Sequence, residues 1–126
     1  MSDRSFLQWP FFEDEHRALA LKLEDWAKAE LIDYSATPAN VDLACKELVL
    51  KLADAGWLDY CVSNKFEGGN PKLNVRSLCI IRETLARFSG LADFVFAMQG
   101  LGSGTISLFG SAEMQEKYLP DVRKGG

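Results

Sequence analysis

The feature that most constrains the fold is a stretch of 19 residues, from Phe94 to Ala112, without a charged side chain. Its length approaches that of a helix that spans a membrane, which needs about 20 predominantly apolar residues. The stretch also contains glycine, glutamine, serine and threonine at its centre, from Gln99 to Ser107. We therefore interpret it as a buried helix of a soluble protein, predicted over about 91–109.

The rest of the chain predicts further helices joined by short loops. Asn40 and Asn74 stand where helix N-caps are expected, and Gly56 stands where a helix typically ends. The segment from Trp57 to Leu73 is predicted to be irregular, with a short extended part over 59–62. The pattern favours an all-α orthogonal or up-down domain of about five helices. Besides the uncharged helix, helices are predicted over 10–31, 41–55, 74–88 and 111–120, the last ending at Pro120.

Composition excludes several classes of partner. The chain of 126 residues carries a net charge of −4 and no cluster of more than two adjacent Lys or Arg, so we expect neither nucleic-acid nor membrane binding. Residues 1–17 show no secretory signal, and the odd number of cysteines favours free thiols, so we expect a cytoplasmic protein. Cys45 and Cys79 are interpreted as inert thiols on apolar helix faces.

Glu13 and His16 have the spacing found in carboxylate-bridged di-iron sites. Such a site needs a second Glu-x-x-His motif, and His16 is the chain's one histidine. We therefore expect no metal, and we interpret His16 as a half-buried helix residue.

The glycine-rich run from Gly100 to Thr105 invites comparison with a dinucleotide-binding turn. The third glycine of that motif is Thr105 here, and no second βαβ unit surrounds the run. We favour a helix in which small residues at Gly100 and Gly104 let another backbone come close. No serine lies in a nucleophile motif. The residues alone therefore indicate a helical domain without a catalytic centre.

The segment from Gly102 to Pro120 closely resembles the acyl-CoA dehydrogenase family. The family hallmark is an uncharged helix followed by a Phe-Gly-Ser/Thr motif and a Gln-x-x-Tyr-Leu-Pro motif, here at 109–111 and 115–120. Further segments resemble the family's first three helices and its glycine loop in chain order; they are 12–17, 52–58, 66–69 and 81–86.

This resemblance implies an FAD-dependent enzyme of fatty acid metabolism, which oxidises the Cα–Cβ bond of an acyl-CoA thioester. In that family a helical N-terminal domain precedes a β-domain and a C-terminal helical bundle, which supply most flavin contacts and the catalytic Glu. The resemblance thus implies that 1–126 is the N-terminal domain alone, either an excised part or a small separate subunit. We expect no catalytic residue in it, no FAD on it alone, and acyl-CoA and the two other domains as its partners.

The uncharged helix would contribute one wall of the acyl-chain slot. Carried over from the family, the lining residues are Phe94, Ala97, Met98 and Leu101. Without the other domains this face would be exposed, so we also expect a homo-oligomer. Two alternatives remain: a stand-alone helical interaction module, or the same domain of an acyl-CoA oxidase or a flavin monooxygenase.

Overall fold

The computed structural model describes residues 3–34, 39–63 and 72–126. Within these ranges the chain is all-α, as predicted, and contains no β-strand. The predicted glycine loop at 66–69 lies outside the described residues. The five helices are α1 (Asp14–Glu30), α2 (Val41–Asp54), α3 (Val75–Phe88), α4 (Gly90–Phe109) and α5 (Ala112–Arg123), and short 3₁₀-helices lie at Ser5–Gln8, Ile32–Tyr34 and Trp57–Cys61.

Side-chain caps fix where four of these helices begin. The side-chain oxygens of Asn40, Asn74, Ser89 and Ser111 each accept a hydrogen bond from the backbone N–H three residues later, at 3.1 or 3.2 Å. Such a bond satisfies one of the donors that every helix start leaves open. The caps at Asn40, Asn74 and Ser111 confirm the predicted starts, and Ser89 both ends α3 and caps α4.

Helix α1 begins later than predicted, at Asp14 instead of near Pro10. The Arg17 guanidinium donates to the carbonyl of Phe12 at 2.6 Å and to that of Leu7 at 3.4 Å. Leu7 is itself buried in the core. The segment before α1 is therefore held by its own burial and by Arg17, in a conformation that the helix pattern did not predict.

Two other boundaries correct the sequence analysis. Residues 59–61 are not extended: Gly56 adopts a left-handed φ of 77°, a 3₁₀-helix follows over Trp57–Cys61, and the backbone becomes extended at Val62. Helix α5 does not stop at Pro120 but continues to Arg123. Arg123 lies beyond the proline and forms an ion pair of 2.7 Å with Asp59. This ion pair anchors the last turn of α5 to the rest of the domain.

The core lies where α3 packs against both α1 and α4. Helix α4 also contacts α2, α5 and the Trp57–Cys61 turn. None of the described helices is both long enough and apolar enough to cross a membrane. The largest fully buried side chains include Leu23, Leu48, Leu52, Ile81, Leu85 and Phe96.

Candidate functional site on helix α4

Helix α4 leaves a large apolar surface exposed. Its exposed fractions are 57% at Phe94, 48% at Met98 and 71% at Leu101. Leu108 and Phe109 extend the exposed apolar side chains towards the end of the helix, at 61% and 83%. We call these five residues the α4 outer face. Apolar patches of this kind on a monomer commonly mark a binding surface.

The structure brings the four predicted lining residues to one side of α4. Phe94, Met98 and Leu101 belong to the outer face, and Ala97 lies between them, partly buried. Residues spaced three, four and seven apart share a face of an α-helix, which explains the grouping. The predicted exposure of this surface is confirmed, and its contact with a substrate stays a prediction.

An apolar groove of about 280 Å³ opens between α3 and α4. We call it the α3–α4 groove. Ala97 and Leu101 line it, so the groove continues the outer face, whereas Phe94 and Met98 are not among its lining residues. The other lining residues are Cys61, Leu73, Leu78, Arg82, Phe96 and Gly100.

Arg82 is the charged residue among those that line the groove. Its guanidinium donates to both carboxylate oxygens of Asp93, at 2.8 and 2.9 Å. This pairing raises the pKa of Arg82, so its charge persists but is already matched by a partner. The groove therefore offers an apolar lining without an unpaired charge.

In the second half of α4 the opposite face is small and polar, and hydrogen bonds hold it against residues 61–63. Ser103 Oγ lies 2.8 Å from the Gln99 carbonyl and 3.2 Å from the Cys61 carbonyl, so its single proton is shared between them. The Ser63 N–H donates to Ser107 Oγ at 3.2 Å. Sequence reasoning missed both serines, although their spacing of four residues within an uncharged helix was a usable signal.

Cys61 completes this contact from the other side. Its thiol donates to the Phe96 carbonyl at 3.6 Å, and burial raises the pKa of the Cys61 thiol to about 12. The thiol is therefore neutral and unreactive near neutral pH. Of the three cysteines Cys61 alone is buried, whereas Cys79 is exposed and Cys45 is partly buried. The interpretation of Cys79 as a core thiol was therefore wrong, because its position faces away from the α1 and α4 contacts.

The glycines of α4 behave differently from one another. A Cβ built on Gly100 would lie 3.8 Å from Cys61 Sγ, whereas at Gly102 and Gly104 it would meet nothing within 4 Å among the described residues. Among the described residues, the expected close approach of another backbone is therefore wrong at both Gly100 and Gly104, because the neighbour at Gly100 is the Cys61 side chain. The run from Gly100 to Thr105 lies inside α4, as we favoured, and does not form a dinucleotide-binding turn.

His16 is completely buried, not half-buried as predicted. Its Nδ1 accepts a hydrogen bond of 3.1 Å from the Glu13 N–H and so caps α1. In a neutral ring the proton then lies on Nε2, which is 3.8 Å from a Glu15 carboxylate oxygen. Glu13, Glu15 and His16 place potential ligand atoms within 4.8 Å of one another. However, the proton on Nε2 and the occupied Nδ1 make this arrangement a helix cap and a poor metal site.

Comparison with known proteins connects this architecture to a family. The family described as "Acyl-CoA dehydrogenase, N-terminal domain" matches residues 13–126. A protein of Bacillus subtilis (strain 168), described as "Probable acyl-CoA dehydrogenase", is 30% identical over 115 residues. The match covers 90% of this chain and 19% of that relative, so the chain spans about a fifth of the relative's length.

Proposed function

The chain belongs to the acyl-CoA dehydrogenase family as an N-terminal domain, and we propose that it serves an FAD-dependent enzyme of fatty acid metabolism. That enzyme would oxidise the Cα–Cβ bond of an acyl-CoA thioester. The observation that carries the proposal is the α4 outer face, which exposes large apolar side chains while the same helix buries serines. The proposed domain comprises residues 1–126, followed in the enzyme by a β-domain and a helical bundle.

The proposed role of α4 is to form one wall of the slot for the acyl chain. Phe94, Ala97, Met98 and Leu101 would contact the hydrocarbon and exclude water from it. Each methylene that moves from water to an apolar wall contributes about 0.8 kcal/mol. The wall therefore supplies affinity for the chain, and it leaves the chemistry at Cα and Cβ to other groups.

The glycine-rich run does not fit the pyrophosphate of FAD. Gly100 to Thr105 lie in the middle of α4, where each backbone N–H is hydrogen-bonded within the helix and cannot form a phosphate cradle. FAD would supply the hydride acceptor of the reaction. We propose that the flavin contacts and the carboxylate base come from the other domains, and we assign no catalytic residue to this chain.

The test uses the complete open reading frame that encodes this chain. We expect a yellow flavoprotein that reduces an artificial electron acceptor when an acyl-CoA is added. Leu101→Lys should raise KM at least tenfold, because it places a charge on the acyl wall. Leu21→Lys is the matched control, since Leu21 lies on α1 with 63% exposure against 71% for Leu101.

Each outcome decides a separate part of the proposal. If no acyl-CoA is oxidised, the enzymatic function is wrong. If Leu101→Lys behaves as Leu21→Lys does, the wall is elsewhere. A reading frame that stops after Gly126 would favour the stand-alone interaction module, and turnover with molecular oxygen as the preferred acceptor would favour the oxidase.

A further inference from the structure

We propose that Gln115 is a positioning residue for the acyl wall: its side-chain amide caps the end of α4 and thereby holds the half of the helix that carries Leu101. This inference rests on the proposed function, because it assumes that Leu101 contacts an acyl chain. Gln115 is the first residue of the Gln-x-x-Tyr-Leu-Pro motif at 115–120, to which the proposed function assigns no role.

The Gln115 amide lies where α4 ends. Its Nε2 is 3.2 Å from the Ile106 carbonyl, 3.3 Å from the Ser107 carbonyl and 3.2 Å from the Gly110 carbonyl, so its two N–H groups are shared among three acceptors. Carbonyls at the end of a helix have no partner further along the helix and need donors from elsewhere. The last turn of α4 contains no basic side chain that could supply one. Gln115 on α5 therefore provides donors that α4 itself lacks.

A tight turn brings Gln115 to this position. A Cβ on Gly110 would lie 2.5 Å from the Ile106 carbonyl oxygen, so the chain can pass this close to α4 only at a residue without a side chain. The Ser111 hydroxyl then accepts a hydrogen bond of 3.2 Å from the Met114 N–H and caps α5. The Gln115 N–H bonds to the Ser111 carbonyl at 2.9 Å, which places Gln115 in the first turn of α5. The amide therefore reaches the last carbonyls of α4 without an intervening loop.

The second half of α4 depends on contacts from outside the helix. Gly100, Gly102 and Gly104 lie within five positions of the sequence, and glycine is a poorer helix former than every residue except proline. The hydrogen bonds of the buried serines hold one side of this half, and the Gln115 cap holds its end. Without the cap, unwinding that starts at the last turn would meet little resistance before it reaches Leu101.

The first experiment uses the complete flavoenzyme and the acyl-CoA that it oxidises best. Gln115→Met keeps an unbranched side chain of similar length and removes both N–H donors. It should raise KM about fivefold, which corresponds to about 1 kcal/mol, and leave kcat unchanged, because the wall supplies affinity and not chemistry. Gln115→Lys returns a donor to the end of α4 and should restore KM. Gln8→Met is the matched control, because Gln8 is exposed and lies outside α4 and α5.

The second experiment measures amide hydrogen exchange in the isolated chain. In Gln115→Met, peptides that cover 101–110 should exchange faster, whereas peptides from α3 should not change. Adding Gly104→Ala should slow the exchange again, because alanine favours a helix over glycine and a Cβ at Gly104 would meet nothing within 4 Å among the described residues. A contribution of Gln115 to general stability would instead change the peptides of both helices alike.

The outcomes distinguish this inference from the proposed function. An enzyme that oxidises no acyl-CoA would overturn the proposed function and the role of Gln115 in it. An active enzyme in which Gln115→Met has the KM of Gln8→Met would overturn the inference alone, and so would a loss of kcat that Gln115→Lys does not restore. If Gln115→Met does not fold, the double variant with Gly104→Ala should fold; its failure to do so would contradict the inference, because the cap acts on the second half of α4.

Discussion

Helices α3 and α4 pack against each other, yet they differ in the large apolar side chains that they expose. Helix α3 buries Ile81 and Leu85 completely and exposes Val75, at its first residue. Helix α4 buries Ser103 and Ser107 and exposes Leu101 with the rest of the outer face. Both helices belong to one core, so the difference reflects what each helix contacts.

The comparison shows that hydropathy alone does not tell which side of a helix faces the core. In α3 the apolar side is buried, and each fully buried Leu or Ile contributes about 1.5–3 kcal/mol. In α4 the buried side carries Val95 and Phe96 in the first half of the helix, and Ser103 and Ser107 in the second half, where they form hydrogen bonds to Cys61 and Ser63. The exposed large apolar side chains of α4 are left for another partner, which is the physical basis of the proposed acyl wall.

The largest expected effect contrasts a leucine of each helix. Leu85→Ala should cost about 2–5 kcal/mol of unfolding free energy, because it leaves a cavity in the core. Leu101→Ala should change it by less than about 0.5 kcal/mol, because Leu101 is exposed. Chemical denaturation of the isolated chain measures both. A large loss for Leu101→Ala would break the comparison by showing that the outer face is covered.

Sequence alone predicted the features that depend on local chemistry. The caps at Asn40 and Asn74 and the helix end near Gly56 were predicted because each depends on the intrinsic preference of one residue. The extent of α4 was predicted because an uncharged run of that length has few alternatives. These signals act within a single turn or helix, which is why a sequence pattern contains them.

The features that were missed depend on contacts between distant parts of the chain. Pro120 usually ends a helix, but the Arg123–Asp59 ion pair holds the turn beyond it. The 3₁₀-helix at Trp57–Cys61 follows from burial of its side chains against α4 and α2. Gly100 and Cys61 line the same groove, although no spacing rule connects them. Of the outer face, Phe94, Met98 and Leu101 were predicted from the family resemblance, and their exposure is the part that the structure confirms.

The second prediction concerns Cys61, whose thiol donates to the Phe96 carbonyl of α4. Burial raises the pKa of Cys61 from 9.0 to about 12, so the folded state keeps the thiol proton while the unfolded chain loses it above pH 9. The contribution of Cys61 to the free energy of unfolding is therefore fully present below pH 9. It is lost as the pH rises towards 12, by about 1.4 kcal/mol per pH unit. Unfolding by urea at about pH 8 and about pH 10 measures this slope, which should be smaller in Cys61→Ala, whereas the raised pKa values of Tyr34 and Tyr60 contribute to it in both proteins. An equal slope in that variant would contradict the assignment.

The third prediction uses the outer face in the absence of other domains. The isolated chain should self-associate, because pairing two outer faces removes apolar surface from water at about 25 cal/mol per Å². Met98→Lys should weaken the association at least tenfold, which corresponds to about 1.4 kcal/mol. Sedimentation equilibrium measures it, with Leu21→Lys as the control on α1. A monomer at high concentration would contradict the expectation, and an unchanged association in Met98→Lys would place the contact elsewhere.

The fourth prediction tests the hydrogen bonds of the buried face of α4. Ser103→Ala should lower the free energy of unfolding by about 1 kcal/mol, because it removes the hydroxyl that is shared between the Gln99 and Cys61 carbonyls. Thr105→Ala removes an exposed hydroxyl two residues away and should be close to neutral. Denaturation midpoints of the two variants give the difference. Equal midpoints would mean that close packing alone holds α4 to the turn.

The smallest expected effect is a gain in stability at Gly104, where the sequence had led us to expect a closely packed backbone. A helix glycine costs about 0.8–1 kcal/mol relative to alanine, and a Cβ at Gly104 would meet nothing within 4 Å among the described residues. Gly104→Ala should therefore stabilise the isolated chain by up to about 1 kcal/mol. Ala86→Gly, at an exposed position of α3, should lower the free energy of unfolding by a similar amount. It serves as the reference for the effect of one glycine in a helix of this chain. If Gly104→Ala instead lowers the melting temperature, the open side of α4 at this position is occupied, and α4 leaves less of its surface uncovered than the contacts at Gly104 indicate.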